Sequence, residues 1–358
     1  MGEQAFISGN EAIGYGALYA GCKHFFAYPI TPQNEIMEFF ASELPKRGGV
    51  FVQTESETAS ANMVYGAAST GVRAMTSSSS TGFSLMQEAI SAMAAAQVPC
   101  VIVNVQRGGP GGGTTQTSQM DYLQVTKGGG HGDYHTIVLS PSFVQEAFDF
   151  VQLAFYLADK YRHPTIILSD ALLGQMMESI EMRKLEFTPV PEKDWAVGLG
   201  RKDGQRRMIF PGFVVGSMLR EYLVAVSKKY EQMKEKETRY DTRGLEDAEL
   251  VLVSFGSTAR AALEAFLMAR EEGMRVGMIR PITLWPFPYQ IIKETSHKVK
   301  KFLVVEDNLG QMVEDVTAAV TEQAQVYHLG ILARHLPGPS GLILPQTIYE
   351  EVKKIYGK

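Results

Sequence analysis

VRAMTSSSSTGFSLMQEAISAMAAAQVPCVIVNV, residues 72–105, holds the pattern on which the fold turns. It opens on a short apolar run, VRAMTSS (72–78), and passes through a small polar loop. It continues as FSLMQEAISAMAAA, whose apolar residues recur at the three- and four-residue spacing of an amphipathic helix. It closes on a second apolar run, PCVIVNV (99–105). A strand, a covering helix and a second strand make a βαβ unit, which calls for a parallel sheet covered on both faces.

The same rhythm extends outward in both directions. HFFAYPI (24–30) and GVFVQTE (49–55) precede the unit, and HTIVLS (135–140) and PTIILSD (164–170) follow it. Between them IMEFFASEL, ASANMVYGAAS and SFVQEAFDFVQLAFYLADKY read as helices. From Met177 to Ala248 the rhythm weakens. PVPEKDWAVGLGRKDGQ (189–205) is rich in Pro, Gly and charge, as a surface excursion is. VGSMLREYLVAVSKKYEQMKEK reads as a helix after it. In Tyr230–Arg243 both signs of charge alternate, the mark of a solvated helix face or linker. The α/β rhythm then resumes. ELVLVSFG (249–256), MRVGMIRP and KFLVVED (301–307) read as strands, and TARAALEAFLMAREEG as a helix closed by Gly273. The expected organisation is an α/β parallel-sheet domain over 1–180, a connector over 181–248, and a smaller α/β domain over 249–358.

Composition excludes several classes. The chain has 358 residues, 45% hydrophobic and 20% charged, with a net charge of −5 and no basic stripe for nucleic acid. No run of about 18 uncharged apolar residues marks a membrane span. The N-terminal MGEQAFISGNEAIGYGALYAG has no basic region leading into an apolar one, which argues against secretion. The two cysteines, Cys22 and Cys100, are too few for a disulfide scaffold or a cysteine-ligated iron–sulfur cluster. Cys100, within VPCVIVNV, is expected as a buried small hydrophobe. A cytoplasmic protein fits all of this.

In parallel α/β sheets, ligands bind outside the carboxyl ends of the strands. Four such ends carry unusual residues. In AYPITPQNE (27–35), Pro29 and Pro32 stiffen a turn around Thr31. Thr31 can face an anion near the next helix start or simply cap that helix. In TESETASANMVYGAASTG (54–71), Glu55 and Glu57 lie where a strand hands over to a helix. The helix macrodipole alone favours acidic residues there. The small residues that follow suggest close packing against another body. SSSSTGFS (77–84) is a small polar loop that can cradle an anion with backbone amides, and it lacks the lysine of a Walker loop. In NVQRGGPGGGTTQTSQMDYLQ (104–124), Arg107 precedes a glycine-rich loop. An arginine fork suits a carboxylate, and glycines let backbone approach a ligand closely. KGGGHGDYH (127–135) adds His131, Asp133 and His135. Their spacing fits no strong metal template, and a polar loop at a subunit or ligand interface is the simpler role.

Taken together, these segments resemble the subunit of 2-oxoacid:ferredoxin oxidoreductases that carries the pyrimidine-binding domain. The matching residues are YPITP with Thr31, the Ser56–Glu57 pair before a small-residue helix, SSSSTGFSLMQEAI, and VQRGGPGGG…SQMDYLQ with Arg107. LVSFGSTA, RPITLWPFP (280–288) and VVEDNLGQM (304–312) resemble the transketolase C-terminal-type domain of the same family. The resemblance spans nearly the whole chain. It implies a thiamine-diphosphate-binding, pyrimidine-type domain followed by a transketolase C-terminal-like domain.

The cofactor becomes a nucleophile when C2 of its thiazolium loses a proton to its own aminopyrimidine, and a carboxylate on the pyrimidine ring favours the tautomer that does this. The resemblance assigns that carboxylate to Glu57 rather than Glu55, with Pro29, Ser79 and Gly82 beside the cofactor. It assigns Thr31 and Arg107 to the 2-oxoacid. The GDG-type loop with a downstream asparagine, which holds diphosphate and magnesium, is not found; Lys202-Asp203-Gly204 reads as a surface turn. No metal ligand is therefore expected on this chain. Thiamine diphosphate would be shared with a diphosphate-binding-domain subunit. Mg2+ and 4Fe–4S clusters would sit on partner chains, among them a ferredoxin-like iron–sulfur subunit and a small gamma-type subunit. Ferredoxin and coenzyme A complete the implied reaction. The run RGGPGGG…DYLQVTKGGGHGDYHTIVLSPSFVQEAFD (107–149) and ADKYRHPTIILSDALLGQMME look closest to the branched-chain (2-oxoisovalerate) enzymes, with the 2-oxoglutarate enzymes next. A non-catalytic assembly subunit is the reading from a different class. A stand-alone transketolase-like or decarboxylating enzyme would require the missing diphosphate loop.

Overall fold

The computed structural model describes residues 3–198, 205–333 and 342–357. The first part of the chain runs β1 (Glu3–Ser8), α1 (Gly9–Tyr19), β2 (His24–Ala27), α2 (Asn34–Lys46), β3 (Val50–Gln53), α3 (Glu57–Ser69), β4 (Ala74–Ser78), α4 (Ser80–Leu85), α5 (Gln87–Ala95) and β5 (Val101–Gln106). It continues through α6 (Tyr122–Thr126), β6 (Ile137–Leu139), α7 (Val144–Tyr161), β7 (Thr165–Asp170), α8 (Ala171–Gln175), β8 (Met177–Met182) and α9 (Gly216–Glu237). The remainder is β9 (Tyr240–Arg243), β10 (Leu250–Ser254), α10 (Thr258–Glu271), β11 (Val276–Pro281), β12 (Thr283–Trp285), α11 (Tyr289–Ser296), β13 (Lys301–Val305), α12 (Met312–Ala319), β14 (Gln325–Leu329) and α13 (Pro345–Tyr356).

A seven-stranded sheet has the order β12-β6-β7-β5-β4-β2-β3, parallel throughout except for β12 at one edge. Every residue of β4, β5, β6 and β7 is buried. That is why these runs are apolar without alternation: helices cover both faces. A five-stranded sheet has the order β14-β13-β10-β11-β9, with β9 antiparallel to β11. β1 and β8 form a separate antiparallel pair. Among the described residues no helix is long and apolar enough to cross a membrane.

Three local expectations change. FSLMQEAISAMAAA is two helices, α4 and α5, broken at Met86. The irregular reach after Met177 opens with β8, which finds its partner in β1 far away in sequence. The charged run at 230–243 is only partly solvated. Glu237, 1% exposed, accepts Lys160 Nζ and Tyr161 O–H at 2.6 Å each and pairs with Arg239, so one side of α9 is anchored inside. The rest of that run becomes β9, an edge strand. The surface turn expected at Lys202-Asp203-Gly204 lies outside the described residues. Cys100 is buried, as expected, and burial pushes its thiol up to about 12.

The two larger sheets are joined by the segment that follows the glycine-rich loop. β12, which follows β11 directly, crosses to the edge of the seven-stranded sheet. Gln119, 1% exposed, donates to Phe255 O at 2.8 Å and accepts Asp307 N–H at 2.9 Å, while its own N–H reaches Asp307 O at 3.0 Å. Asn308 Nδ2 donates back to Gln119 O at 2.8 Å. Tyr122 O–H bonds Asp315 at 2.5 Å, and Lys127 and Tyr289 converge on the same carboxylate. Glu306 is fully buried and accepts Met312 N–H (2.7 Å), Val313 N–H (2.9 Å) and Gln311 N–H (3.1 Å), closing the start of α12. VVEDNLGQM is thus a clamp and a helix cap. Gln119→Ala would take the acceptor from the Asp307 N–H and leave Phe255 O with the longer Ala259 N–H bond alone, at a cost of about 1–3 kcal/mol. The expected result is a clearly lower denaturation midpoint, and an unchanged one would show that this clamp does not hold the sheets together.

Candidate functional site

β5, β4, β2 and β3 are neighbours in the parallel sheet, so their carboxyl ends form one rim, and the four unusual segments all leave from it. At the end of β3, Ser56 caps α3, its Oγ accepting Ala59 N–H at 3.2 Å. Glu57 is the first residue of that helix and is 6% exposed. The positive end of the helix dipole favours its charge. Among the described residues its carboxylate makes no hydrogen bond and no ion pair. Glu55, by contrast, is exposed.

The loop after β4 explains how Glu57 is held. A Cβ on Gly82 would lie 2.4 Å from Glu57 Oε1 and 2.3 Å from Ser78 Oγ. Only glycine therefore lets the α4 backbone lie against the carboxylate. The Oγ atoms of Ser78 and Ser79 are buried and have no partner. The Glu57 carboxylate and the Ser78 hydroxyl against Gly82, with the Ser79 hydroxyl next along the chain, leave buried hydrogen-bonding capacity unspent. A ring bearing both donors and acceptors, such as an aminopyrimidine, fits that set chemically.

Arg107 stands just past β5. Its Nη1 donates to Thr31 O at 2.7 Å and its Nη2 to Gly112 O at 2.9 Å, while Nε is buried without a partner. A guanidinium carries five N–H donors, so donors remain for an anion. The glycine-rich loop folds back on itself: Thr114 N–H reaches Gly108 O at 2.8 Å. Gly113 has φ +60°, and a Cβ there would meet Gly108 O at 1.8 Å. The turn is open only to glycine.

Thr31 is exposed and contributes its carbonyl to Arg107. It does not cap α2, whose N-cap position is Gln33. Pro29 is half-buried in the same turn. The turn is pinned from below: Asn10 Nδ2 donates to Pro32 O at 2.8 Å and to Glu35 at 2.9 Å, and buried Gln33 accepts from Ser77 Oγ. The structure thus links Thr31 to Arg107, and Gly82 to Glu57, with Ser79 between Ser78 and the start of α4. His131 and Asp133 are exposed, and His135 stacks on Trp285 with ring centroids 4.8 Å apart.

Three residues of the rim, Ser80, Asn104 and Asp121, are not singled out by sequence reasoning. Asp121 accepts Ser80 O–H at 2.6 Å and Asn104 Nδ2–H at 2.9 Å. Burial pushes its carboxyl above the usual carboxylate range, against those hydrogen bonds and the Arg107 charge. A polar Asn104 interrupting the apolar run VIVNV is the one signal the sequence offers for this cluster.

Comparison with known proteins gives these features a family. The family model described as pyruvate flavodoxin/ferredoxin oxidoreductase, thiamine diphosphate-binding, matches residues 15–239. The model for core domain II of pyruvate:ferredoxin oxidoreductase matches residues 248–335. The chain is 46% identical to the ketoisovalerate oxidoreductase subunit VorB of Methanothermobacter marburgensis, over 87% of this chain and 89% of that subunit. It is 37% identical to the 2-oxoglutarate synthase subunit KorA of Methanothermobacter thermautotrophicus, over 96% and 98% of the two chains. The solved 2-oxoglutarate:ferredoxin oxidoreductase of Magnetococcus marinus, with 2-oxoglutarate, coenzyme A and succinyl-CoA bound, superposes with a TM-score of 0.86 at 29% identity. That match covers 99% of this chain and 66% of the solved one. An inactive split-gene transketolase tetramer, at TM-score 0.59 and 14% identity, shares the fold. With two family models covering most of its length and a thiamine-diphosphate-binding domain over its first part, this chain belongs to the 2-oxoacid:ferredoxin oxidoreductase family, as one of its subunits.

Proposed function

We propose that this chain, joined to a diphosphate-binding subunit, oxidatively decarboxylates 2-oxoisovalerate to an acyl-CoA and CO2 and delivers the electrons to ferredoxin. The carrying observation is the Glu57 carboxylate, buried, unpaired and pressed on Gly82, on the same rim of strand ends as Arg107. Bound thiamine diphosphate would supply the nucleophilic carbon and the electron sink. Glu57 holds the pyrimidine ring by a hydrogen bond, and Ser79, Gly82 and Pro29 shape the space around it. The spare donors of Arg107 hold the 2-oxoacid carboxylate, and the Thr31 turn braces the guanidinium. Mg2+ and the diphosphate belong to the diphosphate-binding partner. The 4Fe–4S clusters belong to a ferredoxin-like subunit, since both cysteines here are buried and far apart in sequence. A small gamma-type subunit completes the assembly, which is cytoplasmic.

Substrate choice follows from charge. Across YPITPQ and RGGPGGGTTQ, Arg107 is the single cation. It suits one carboxylate, whereas 2-oxoglutarate brings a second that these loops do not answer. The VorB likeness agrees with the branched-chain reading, and the KorA likeness keeps 2-oxoglutarate as the second one. Purifying the complex with its partner chains and measuring ferredoxin reduction with each 2-oxoacid decides between them; preference for 2-oxoglutarate overturns the first. Arg107→Ala removes charge-assisted hydrogen bonds worth about 1.5–3 kcal/mol, so the KM for the 2-oxoacid should rise about 10- to 100-fold. An unchanged KM takes Arg107 out of the substrate site.

A further inference from the structure

Beside Arg107 the loops leaving β4 and β5 are locked to each other. One carboxylate from a third segment does this. Asp121, 8% exposed, accepts Ser80 O–H at 2.6 Å and Asn104 Nδ2–H at 2.9 Å on the same oxygen, Oδ2. Asn104 Oδ1 in turn accepts Ser80 N–H at 2.9 Å, and Gln106 Oε1 accepts Asp121 N–H at 3.1 Å. Ser80 has given its single hydroxyl proton to the carboxylate, so it offers a lone pair, and Arg107 N–H takes it at 2.9 Å. Ser80 also has φ +30°, a conformation an L residue keeps only where its surroundings impose it.

Asp121 occupies the N-cap position of α6, where an aspartate ordinarily accepts N–H groups of the first turn. It makes no such bond: Gln311 Oε1 takes the Leu123 N–H instead, at 2.9 Å. The carboxylate is turned from the helix it begins toward the rim of strand ends. We propose that Asp121 is a positioning residue for 2-oxoacid binding, which fixes the Arg107 main chain through Ser80 and Asn104 and so holds the guanidinium where the substrate carboxylate meets it. This rests on the reading of Arg107 as the partner of that carboxylate.

The test compares Arg107→Ala, Asp121→Ala, their double variant and Asp121→Asn in the purified complex. Asp121→Ala should raise the 2-oxoacid KM about 5- to 20-fold while kcat stays within about threefold. Its effect should vanish in the Arg107→Ala background, because two residues acting through one group are not additive. Asp121→Asn, whose amide oxygen still accepts from Ser80 and Asn104, should restore most of the lost affinity. Ser80→Ala should repeat Asp121→Ala, and it decides the matter if Asp121→Ala does not assemble. An unchanged KM in Asp121→Ala with a raised one in Arg107→Ala overturns this inference alone. So do fully multiplicative effects in the double variant, or a loss confined to kcat. An unchanged KM in Arg107→Ala overturns the reading beneath it as well.

Discussion

Glu57→Gln is expected to lower kcat for 2-oxoacid-dependent ferredoxin reduction by about 10²- to 10³-fold, within the range by which positioned proton-exchanging groups act. Glutamine has the same size and shape. It still fits between α3 and the α4 backbone at Gly82, so the fold should tolerate it. What it loses is the negative charge and a carboxylate acceptor at a site where no other described group of this chain pairs with the carboxylate. The cost in stability is small, because removing an acidic group from a helix N-terminus weakens the helix by only about 0.3–1 kcal/mol. Chromatographic co-elution with the partner subunits and the thermal midpoint should therefore be unchanged. If this chain served only in assembly, the variant would keep full turnover, and that outcome would falsify the catalytic role.

Gly82→Ala is expected to separate stability from activity. Gly82 lies inside α4 with no positive φ, so alanine is conformationally welcome and should strengthen the helix by about 0.5–1 kcal/mol. The added methyl, however, would lie 2.4 Å from Glu57 Oε1 and 2.3 Å from Ser78 Oγ. Both are ends of flexible side chains, so they yield and the backbone does not. The carboxylate is displaced by an ångström or so, and misplacement of that size costs about 10²-fold in rate. The expected combination is an equal or higher melting temperature with a large loss of kcat. Stability and activity falling together would assign Gly82 to packing alone.

Much of the site is legible in the amino-acid order. Pro29, Thr31, Glu57, Ser79, Gly82 and Arg107 lie at strand ends marked by proline, serine or glycine clusters, and the fold gathers those ends along one rim. Their local companions are not legible in the same way. Ser80 is one of four successive serines, and its hydroxyl is held by Asp121, 41 residues away. Asn104 reads as a flaw in an apolar strand. In the fold its amide, near the end of β5, bonds Ser80 N–H and Asp121. Thr31 stands out in sequence between two prolines, and the fold adds what sequence does not show: its carbonyl accepts Arg107 Nη1.

What the amino-acid order determined by itself is periodic or compositional. The runs HFFA, AMTSS, VIVNVQ and TIILSD carry apolar residues on both faces without alternation, and a parallel sheet covered on both sides buries such runs. The glycines after Arg107, Gly113 among them, marked where backbone can approach something closely, and Gly113 does so at Gly108 O. Tertiary structure alone decided the pairings across long stretches of chain. β1 met β8, β12 crossed to the first sheet, and Gln119 locked onto Phe255 and Asp307. Such pairings are chosen by complementary hydrogen bonds between segments, and each segment alone is satisfied equally well by water. The link from Asp121 through Ser80 to Arg107 is of this second kind: Asp121 and Ser80 are ordinary in sequence, and they meet Arg107 only where β4 and β5 end side by side.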